Sequence, residues 1–553
     1  MKKLKRNNYL QGAFIATFGI VISKILGMIY VIPFYSIIGE QGGALYGYAY
    51  NIYSIFLSIS TAGIPLAISS IVSEYNTLGY QNAKEKTFTL AKRYLSIVGI
   101  ISFLIVFIFA KDIAFMIIGN NTGGNSIEDI TFVIRTISFS ILIVPTLSVY
   151  RGYLQGHKFI TPTSISQVIE QVVRVSIIIV GSFIAAKVFH LPLKYAVACA
   201  LLGATIGALF SYLYLVVVKK KNKSSLKTKA SKDERKISTK EILTKIFITA
   251  FPFIFGDVCK SLYNSVDTFF VVKTLTGLGY KTIAAESIMG IISTWGNKLN
   301  MIVIAIGTGF AVSLIPNMTS SIVKKDYKDV NLKINQTFKT LLFITMPMTF
   351  GLSFLSVPIW NTFYGSSMYG PVVFRFSIIV ALVTVILSAV QVIGLTFKEY
   401  KILIPSMILG LLLNALLDVP LMIIMHNLGA PAFYGATLST CLGHILTITI
   451  ILYFIINKYK FNLKESVKAA VKTTLYTITM LIGLYLISFI IPLNVSNRIL
   501  SLLIVLIYAV IGGIIYGFIS FKSGLFQDVF GQDIFIRIKR KIKSKLPLKK
   551  RGI

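Results

Sequence analysis

Long apolar segments alternate with short polar ones along nearly the whole chain of 553 residues. Most apolar segments run for about 20 to 30 residues, which is the length that an α-helix needs to cross a bilayer. The pattern therefore predicts an all-α integral membrane protein with about fourteen transmembrane helices. The predicted spans lie near residues 12–38, 45–73, 94–118, 131–153, 161–189, 195–218, 242–273, 282–315, 336–364, 371–396, 402–425, 433–456, 469–491 and 499–520.

Composition also indicates a membrane protein. Hydrophobic residues make up 55% of the chain and charged residues 14%, whereas a soluble protein has about 25% charged residues. We interpret the net charge of +35 as an orientation signal in the loops and not as a nucleic-acid surface. Cys199, Cys259 and Cys441 all lie in apolar segments, so neither a disulfide framework nor a zinc site is expected. The basic start MKKLKRNN precedes an apolar run that is too long for a signal peptide, so we interpret that run as a retained first span.

The connections between the predicted spans alternate in charge. The N-terminus, most even-numbered connections and the tail after Phe521 are rich in Lys and Arg. The odd-numbered connections, such as GEQGG and GSSMYG, are short and poor in these residues. This asymmetry predicts a multi-pass protein of the cell membrane with both termini in the cytoplasm. The connection 219–241 and the tail are also basic enough to contact anionic headgroups.

The polar connection 219–241 divides the chain into two halves. We predict an N-terminal six-helix lobe at 1–218, a basic cytoplasmic linker at 219–241, a C-terminal six-helix lobe at 242–456, two further helices at 457–520 and a basic cytoplasmic tail at 521–553. The two halves show weak sequence similarity to each other, since the second span ends in GIPLAIS and the eighth ends in GTGFAVS. Many transporters use internal repeats of this kind to build a central site.

Several cationic residues lie inside the predicted spans. Lys24 has about a dozen apolar residues on either side, so its ammonium group is more consistent with a wet cavity than with snorkelling to the headgroups. Lys298 lies in an equally deep polar patch beside Asn297. One lysine from each half could clamp a phosphate or pyrophosphate. Glu170 and Arg174 are spaced for an ion pair on one helix face, and that pair is either a structural bridge or part of the substrate site.

Acidic and amide residues form a second group. Asn414 and Asp418 are four residues apart and give the eleventh span an oxygen-rich face, while Asp267 lies in the seventh span. Such a face suits a sodium ion or a proton relay. The alternative is a hydrogen bond to Lys260 or to a neighbouring helix.

Motifs for energy-coupling and catalytic chemistry are missing from the sequence. It has no phosphate-binding GxxxxGK[ST] pattern, so we expect no ATP hydrolysis. The predicted external loops hold few carboxylates and no His–carboxylate cluster, which disfavours a membrane glycosyltransferase or hydrolase.

The order and spacing of several motifs resemble the MOP superfamily of exporters, in particular its polysaccharide-flippase branch and the MurJ-type lipid II flippases of Gram-positive bacteria. The resemblance covers nearly the whole chain. It rests on SKILG around Lys24, GIPLAIS with the following SEY, SVDTFF at Asp267, GNKL at Lys298 followed by GTGFAVSLIP, and the YRGYLQG turn.

This resemblance implies that Lys24 and Lys298 line a central cavity and bind a lipid-linked pyrophosphate. Many relatives have arginine at these positions, several have an acid where this chain has Asn297, and relatives have a second cation where this chain has Tyr30. We therefore expect the anion clamp to be assembled differently here, with a contribution from Arg174.

The resemblance also implies a sodium site. Some relatives bind sodium through an Asp of the seventh span and an Asn and an Asp of the eleventh. Asp267, Asn414 and Asp418 match those positions, and Thr440 in the twelfth span is a weaker candidate.

The function expected from the sequence is a lipid II flippase, not an enzyme, which moves an undecaprenyl-pyrophosphate-linked peptidoglycan precursor to the outer leaflet by alternating access. The expected partners are lipid II and membrane lipids, without nucleic acid, and the expected state is a monomer. No cofactor is expected beyond a possible coupling or structural Na⁺. The alternatives are a flippase for a capsule or teichoic-acid unit, a multidrug/cation antiporter of the same superfamily, a non-transporting scaffold and a membrane glycosyltransferase.

Overall fold

The structure is a computed structural model and describes residues 26–27, 30–61, 63–119, 123–227 and 237–530. All of the regular secondary structure in these residues is helical, which confirms the predicted all-α class. The first predicted span, including Lys24, lies largely outside the described residues, as do parts of the linker and of the tail.

The helices follow one another with short connections. In chain order they are α1 (Val31–Thr61), α2 (Ile64–Leu78), α3 (Gln81–Ile108), α4 (Ala110–Ile118), α5 (Ile127–Gly156), α6 (Ile160–Phe183), α7 (Leu193–Lys221), α8 (Lys223–Leu226), α9 (Thr239–Gly277), α10 (Thr282–Gly290), α11 (Gly296–Val323), α12 (Tyr327–Phe354), α13 (Ser356–Tyr364), α14 (Gly370–Thr396), α15 (Tyr400–Asn427), α16 (Tyr434–Tyr459), α17 (Lys464–Ser488), α18 (Arg498–Lys522) and α19 (Leu525–Phe530). Wide π-helical turns extend α6 over Ile184–Val188 and join α10 to α11 over Ile291–Trp295.

Most helices agree with the predicted spans, but α1 runs through the predicted connection GEQGG between the first two, with a break only at Gly39. Within the described residues, twelve helices are long and apolar enough to cross a bilayer, and the pair α12 and α13 makes a thirteenth candidate with a 76° bend. The helix α3 starts at Gln81, well before the predicted span 94–118, so Lys84 and Lys86 lie on a helix and not in a loop. The helical membrane architecture predicted from the sequence is confirmed.

Backbone breaks interrupt several of the helical runs. The first lies at Gly39, where φ is 64° and ψ is −164°, and it falls at the start of the predicted connection GEQGG. A positive φ of this size is strained for residues with a Cβ, so glycine fits this break. The runs α3–α4 and α12–α13 are also broken, at Phe109 and Leu355, where the sequence predicted continuous spans.

The chain forms two compact units. The first contains the described residues up to Lys298 together with Leu411–Thr440, and the second contains Leu299–Gly410 and the described residues from Cys441 onward. In the first unit, α7 packs along both α5 and α6, and α5 also packs against α1 and α3. The two six-helix lobes proposed from chain order stay a prediction.

In the first unit, α1 approaches the wide turn Ile291–Trp295 very closely. A Cβ built on Gly43 would lie 2.0 Å from Trp295 Nε1, and one built on Gly47 would lie 2.2 Å from Ser293 Oγ. Trp295 is fully buried, and its Nε1 donates to the Gly39 carbonyl at 3.2 Å. Only glycine therefore allows α1 to pack here, and this packing positions the residues just before Lys298.

Candidate functional site

Lys298 lies in the first turn of α11, immediately after the buried wide turn. Its Nζ is 5.6 Å from the centroid of the Tyr30 ring. Tyr30 occupies the position where the resemblance implied a second cation, so here an aromatic ring supports the lysine instead. Asn297 lies next to Lys298 and is half-buried.

A second group of charges lies on α5 and α6. Glu170 and Arg174 form the ion pair expected from their spacing, with Arg174 Nη2 at 3.0 Å from Glu170 Oε1. Arg151 on α5 contacts the other carboxylate oxygen, at 2.8 Å. All three side chains are largely buried, with 14–17% of each exposed. One carboxylate therefore bridges two guanidinium groups.

Arg151 was not among the site residues predicted from the sequence. It reaches Glu170 from a different helix, 19 positions along the chain, and also donates to Ser166 Oγ at 3.1 Å and Ser211 Oγ at 3.0 Å. No local spacing rule links residues so far apart on two helices. The available signal was an arginine inside a span, in the YRGYLQG segment.

The two groups of charges belong to one electrostatic cluster. Lys298 lies within electrostatic range of Arg174, and Tyr50 lies within electrostatic range of both. Tyr46 and Tyr53 also lie within electrostatic range of Arg174. We call Arg151, Glu170, Arg174 and Lys298 the cationic cluster, since it combines three cations with the one carboxylate that bridges the two arginines. Together with the surrounding phenols, it offers charged and neutral donors to an anion.

The predicted oxygen-rich face is also present. Asn414 and Asp418 on α15 are completely buried, and they face Ser439 and Thr440 on α16. Asn414 Nδ2 donates to Ser439 Oγ at 3.0 Å and to Thr440 Oγ1 at 3.2 Å, and Ser439 Oγ donates to Asp418 Oδ1 at 3.0 Å. The alternative raised from the sequence, hydrogen bonds to a neighbouring helix, is thus observed in part. Residues of α16 bond to the amide nitrogen of Asn414 and to one carboxylate oxygen of Asp418. Lys260 does not take part, because it pairs with Asp257 at 3.5 Å.

Three oxygens of this group have no hydrogen-bond partner in the described part of the chain: Asp267 Oδ1, Asn414 Oδ1 and Asp418 Oδ2. Asp267 on α9 is close enough to Asp418 for the two carboxylates to repel each other. Buried oxygens without donors, on carboxylates that face each other, fit a small hard cation. Among the described residues, no group of three or more His, Cys, Asp and Glu side chains is arranged for a metal ion, so a transition-metal site is not indicated there.

Solved structures identify the fold. A structure described as "Lipid II flippase MurJ, inward closed conformation" matches with a TM-score of 0.64 at 18% identity, covering 93% of this chain and 99% of that one. An inward-facing multidrug resistance MATE family transporter of the MOP superfamily matches with a TM-score of 0.63 at 13% identity, covering 80% of this chain and 99% of that one. The fold is therefore that of the MOP-superfamily transporters.

Sequence comparison gives the family. The family model described as "Polysaccharide biosynthesis protein" matches residues 9–322. A Bacillus subtilis (strain 168) protein named lipid II flippase MurJ is 34% identical over 454 residues, which is 79% of this chain and 81% of that protein. The chain belongs to the polysaccharide biosynthesis protein family, within its MurJ-like branch. This confirms the prediction of a MOP-superfamily transporter rather than an enzyme.

Proposed function

We propose that the protein is a lipid II flippase, which moves the undecaprenyl-pyrophosphate-linked peptidoglycan precursor from the inner to the outer leaflet. The similarity to the Bacillus subtilis flippase over most of both chains supports this function. The observation that carries it in the structure is the cationic cluster, in which Glu170 bridges Arg151 and Arg174 and Lys298 lies within electrostatic range of Arg174.

The cluster suits a pyrophosphate in both charge and geometry. Guanidinium groups present parallel N–H donors that match phosphate oxygens, and each charge-assisted bond is stronger where water is scarce. Glu170 accepts a hydrogen bond from Nη2 of each arginine and so fixes both guanidinium groups, whose other N–H groups are the proposed donors to phosphate. In this mechanism the cluster, with Lys24, binds the pyrophosphate, the lipid tail stays in the bilayer, and alternating access exposes the head to each leaflet in turn.

We further propose that Asp267, Asn414 and Asp418 hold a sodium ion, with Thr440 as an additional neighbour. The ion would supply the positive charge that two facing buried carboxylates lack. Its binding would favour the conformation in which α9, α15 and α16 hold these oxygens together, and this preference would couple sodium to the transport cycle.

The remaining features of the proposal concern orientation and assembly. The loop charges support a cell-membrane protein with both termini in the cytoplasm. The protein acts as a monomer with lipid II and membrane lipids as its partners.

A multidrug antiporter is the competing function, because MATE transporters share the fold. Drug cations require a net acidic site, whereas three cations and one carboxylate make this cluster net positive. A flippase for a capsule or teichoic-acid unit would use the same pyrophosphate chemistry and differ only in the glycan.

Depletion in the native cell tests the proposed function. We expect lipid II to accumulate in the inner leaflet when the protein is depleted, and expression of the wild-type chain to reverse the accumulation. Accumulation of a different lipid-linked glycan would assign the protein to that glycan, and accumulation of none would exclude a flippase of cell-wall precursors.

A further inference from the structure

A basic cavity of about 410 Å³ lies where α3 begins and where α5 and α7 end. Four lysines line it, two from the last turn of α7 and two from α8 and the residue after it: Lys219, Lys220, Lys223 and Lys227. One carboxylate, Glu85, also lines the cavity. None of these residues belongs to the cationic cluster or to the oxygen-rich site.

Aromatic side chains fix the central lysine of this basic cavity. Lys219 Nζ lies 3.3 Å from the centroid of the Phe88 ring and 4.9 Å from that of Tyr153. Both rings are buried, so the ammonium group makes cation–π contacts with rings that are held in place by packing. The Glu85 carboxylate accepts a hydrogen bond from Tyr153 Oη at 2.5 Å. With four lysines and one carboxylate, the lining of the cavity has an excess of positive charge.

The cavity wall is held by buried hydrogen bonds. Lys84 is completely buried, and its Nζ donates to the Leu226 carbonyl at 2.8 Å, which attaches α8 to α3. His157 beside it is fully buried, and burial lowers the pKa of its imidazole to about 4, so it adds no positive charge at neutral pH. Buried contacts therefore fix the wall of the cavity, while Lys219 is half-buried and Lys220, Lys223 and Lys227 are exposed at its rim.

The cavity also lies at one end of the candidate spans. It is formed at the ends of three candidate transmembrane helices, where lipid headgroups and interfacial tyrosines are found. The apolar side chain of Val216 completes its wall one turn further into α7. Its volume is in the range of small-ligand pockets. Clustered lysines at the end of a span attract anionic lipids.

We propose that this basic cavity binds the phosphodiester headgroup of an anionic membrane lipid. The phosphate contacts Lys219 and its neighbours, and the glycerol end faces Val216. The site is separate from the one proposed for the transported precursor, so it holds whether or not the protein transports lipid II. A soluble phosphate ester has the same charged group, and position at the ends of the spans favours the lipid.

Titration of the purified full-length chain in a neutral detergent tests this proposal. Dioctanoyl phosphatidylglycerol is expected to raise the Tm more than dioctanoyl phosphatidylcholine does. The double variant Lys220→Gln/Lys223→Gln is expected to weaken the apparent affinity for phosphatidylglycerol by about tenfold or more. The matched control Lys325→Gln/Lys328→Gln removes two exposed lysines, one from the connection between α11 and α12 and one from the first turn of α12, and should leave the affinity unchanged.

The other results of this titration each overturn the proposal. Equal protection by the two lipids would mean that the headgroup charge is not recognised, and equal weakening by both double variants would mean that lysines act only through overall charge. Protection by glycerol phosphate at the same concentration would assign the cavity to a soluble ester. If the first double variant does not fold, Lys227→Gln at the exposed rim replaces it, with a smaller expected weakening.

Discussion

At the residue scale, Lys298 is the strongest test of the proposed anion site. Replacement by alanine removes one charge-assisted contact to pyrophosphate, which costs about 1.5–3 kcal/mol, or roughly ten- to a hundredfold in affinity. We expect Lys298→Ala to lose complementation in depleted cells while its membrane level stays normal, and Lys298→Arg to keep most of the function. The same ranking is expected for Lys24, on sequence grounds alone.

Lys260→Ala is the matched control for Lys298→Ala. It also removes a lysine from inside a candidate span, but that lysine pairs with Asp257 and lies outside the cationic cluster. We expect it to complement normally. Full complementation by Lys298→Leu would contradict a role for the charge in binding substrate.

The bridging carboxylate Glu170 gives a second test, through stability. Glu170→Gln leaves Arg151 and Arg174 facing each other without their shared anion. Removing one partner of a buried ion pair costs about 3–5 kcal/mol, and partial exposure here places the expected loss near the lower end. The Tm of the purified protein should fall clearly. Glu74→Gln, which breaks an exposed pair with Lys245, should change stability by less than about 1 kcal/mol, and equal losses in both variants would contradict a special role for Glu170.

Asp418 provides the test of the sodium site. Sodium at 100 times its dissociation constant would stabilise the protein by about 2.7 kcal/mol, and Asp418→Asn should remove most of that gain. The measurement is the Tm in sodium chloride against choline chloride at equal ionic strength. Asp257→Asn, an acid on the same helix as Asp267 but paired with Lys260, serves as the control. No sodium effect on the wild-type Tm would exclude the site and leave Asp418 as a structural or proton-handling residue.

The sequence predicted single-helix relationships better than contacts between helices. Glu170 and Arg174 pair as their four-residue spacing indicates, and Asn414 and Asp418 share a face for the same reason. The contact of Arg151 with Glu170 depends on how α5 packs against α6, and no periodicity within one segment encodes that packing.

At the element scale, the approach of α1 to the wide turn Ile291–Trp295 is the contact most sensitive to volume. Gly43→Ala places a Cβ where the Trp295 indole lies and must displace it, along with its hydrogen bond to Gly39. Overpacking of this kind costs about 1–3 kcal/mol. Gly513→Ala is the control, since a Cβ there meets nothing within 4 Å. We expect a lower Tm for the first variant and an unchanged or slightly higher Tm for the second; unchanged stability in both would contradict the close packing.

Span positions were the most predictable feature at this scale. Apolar length alone located most of the predicted spans that fall within the described residues, because each must cross the same hydrocarbon thickness. Helix starts such as Gln81 were missed. The first part of α3 is polar, and apolar length gives no signal for a helix that begins before its apolar run. The wide turn at Ile291–Trp295 was missed as well, because its sequence IISTW has no breaker residue.

At the scale of the whole molecule, chain order and spatial grouping differ. Leu411–Thr440 groups with residues before Leu299, and this grouping brings Asp418 to Asp267. A pattern along the chain gives the order of helices but not which distant helices meet. The prediction of the sodium site therefore depended on resemblance to a family, whereas the prediction of a membrane protein needed only composition and apolar length.

Orientation in the membrane is a property of the whole chain and follows from its loop charges. Basic connections stay on the cytoplasmic side, so the connection holding Ser366 should face outward and the one holding Ser224 should face inward. Both positions are exposed. In a chain whose three cysteines are replaced by serine, Ser366→Cys should react with an impermeant thiol reagent added to intact cells. Ser224→Cys should react only after the membrane is permeabilised.

Because consecutive spans reverse direction, Ser224 and Ser366 must lie on opposite sides of the membrane if three spans separate them. Labelling of Ser224→Cys in intact cells would therefore overturn the orientation, and labelling of both positions would also overturn the number of crossings between them.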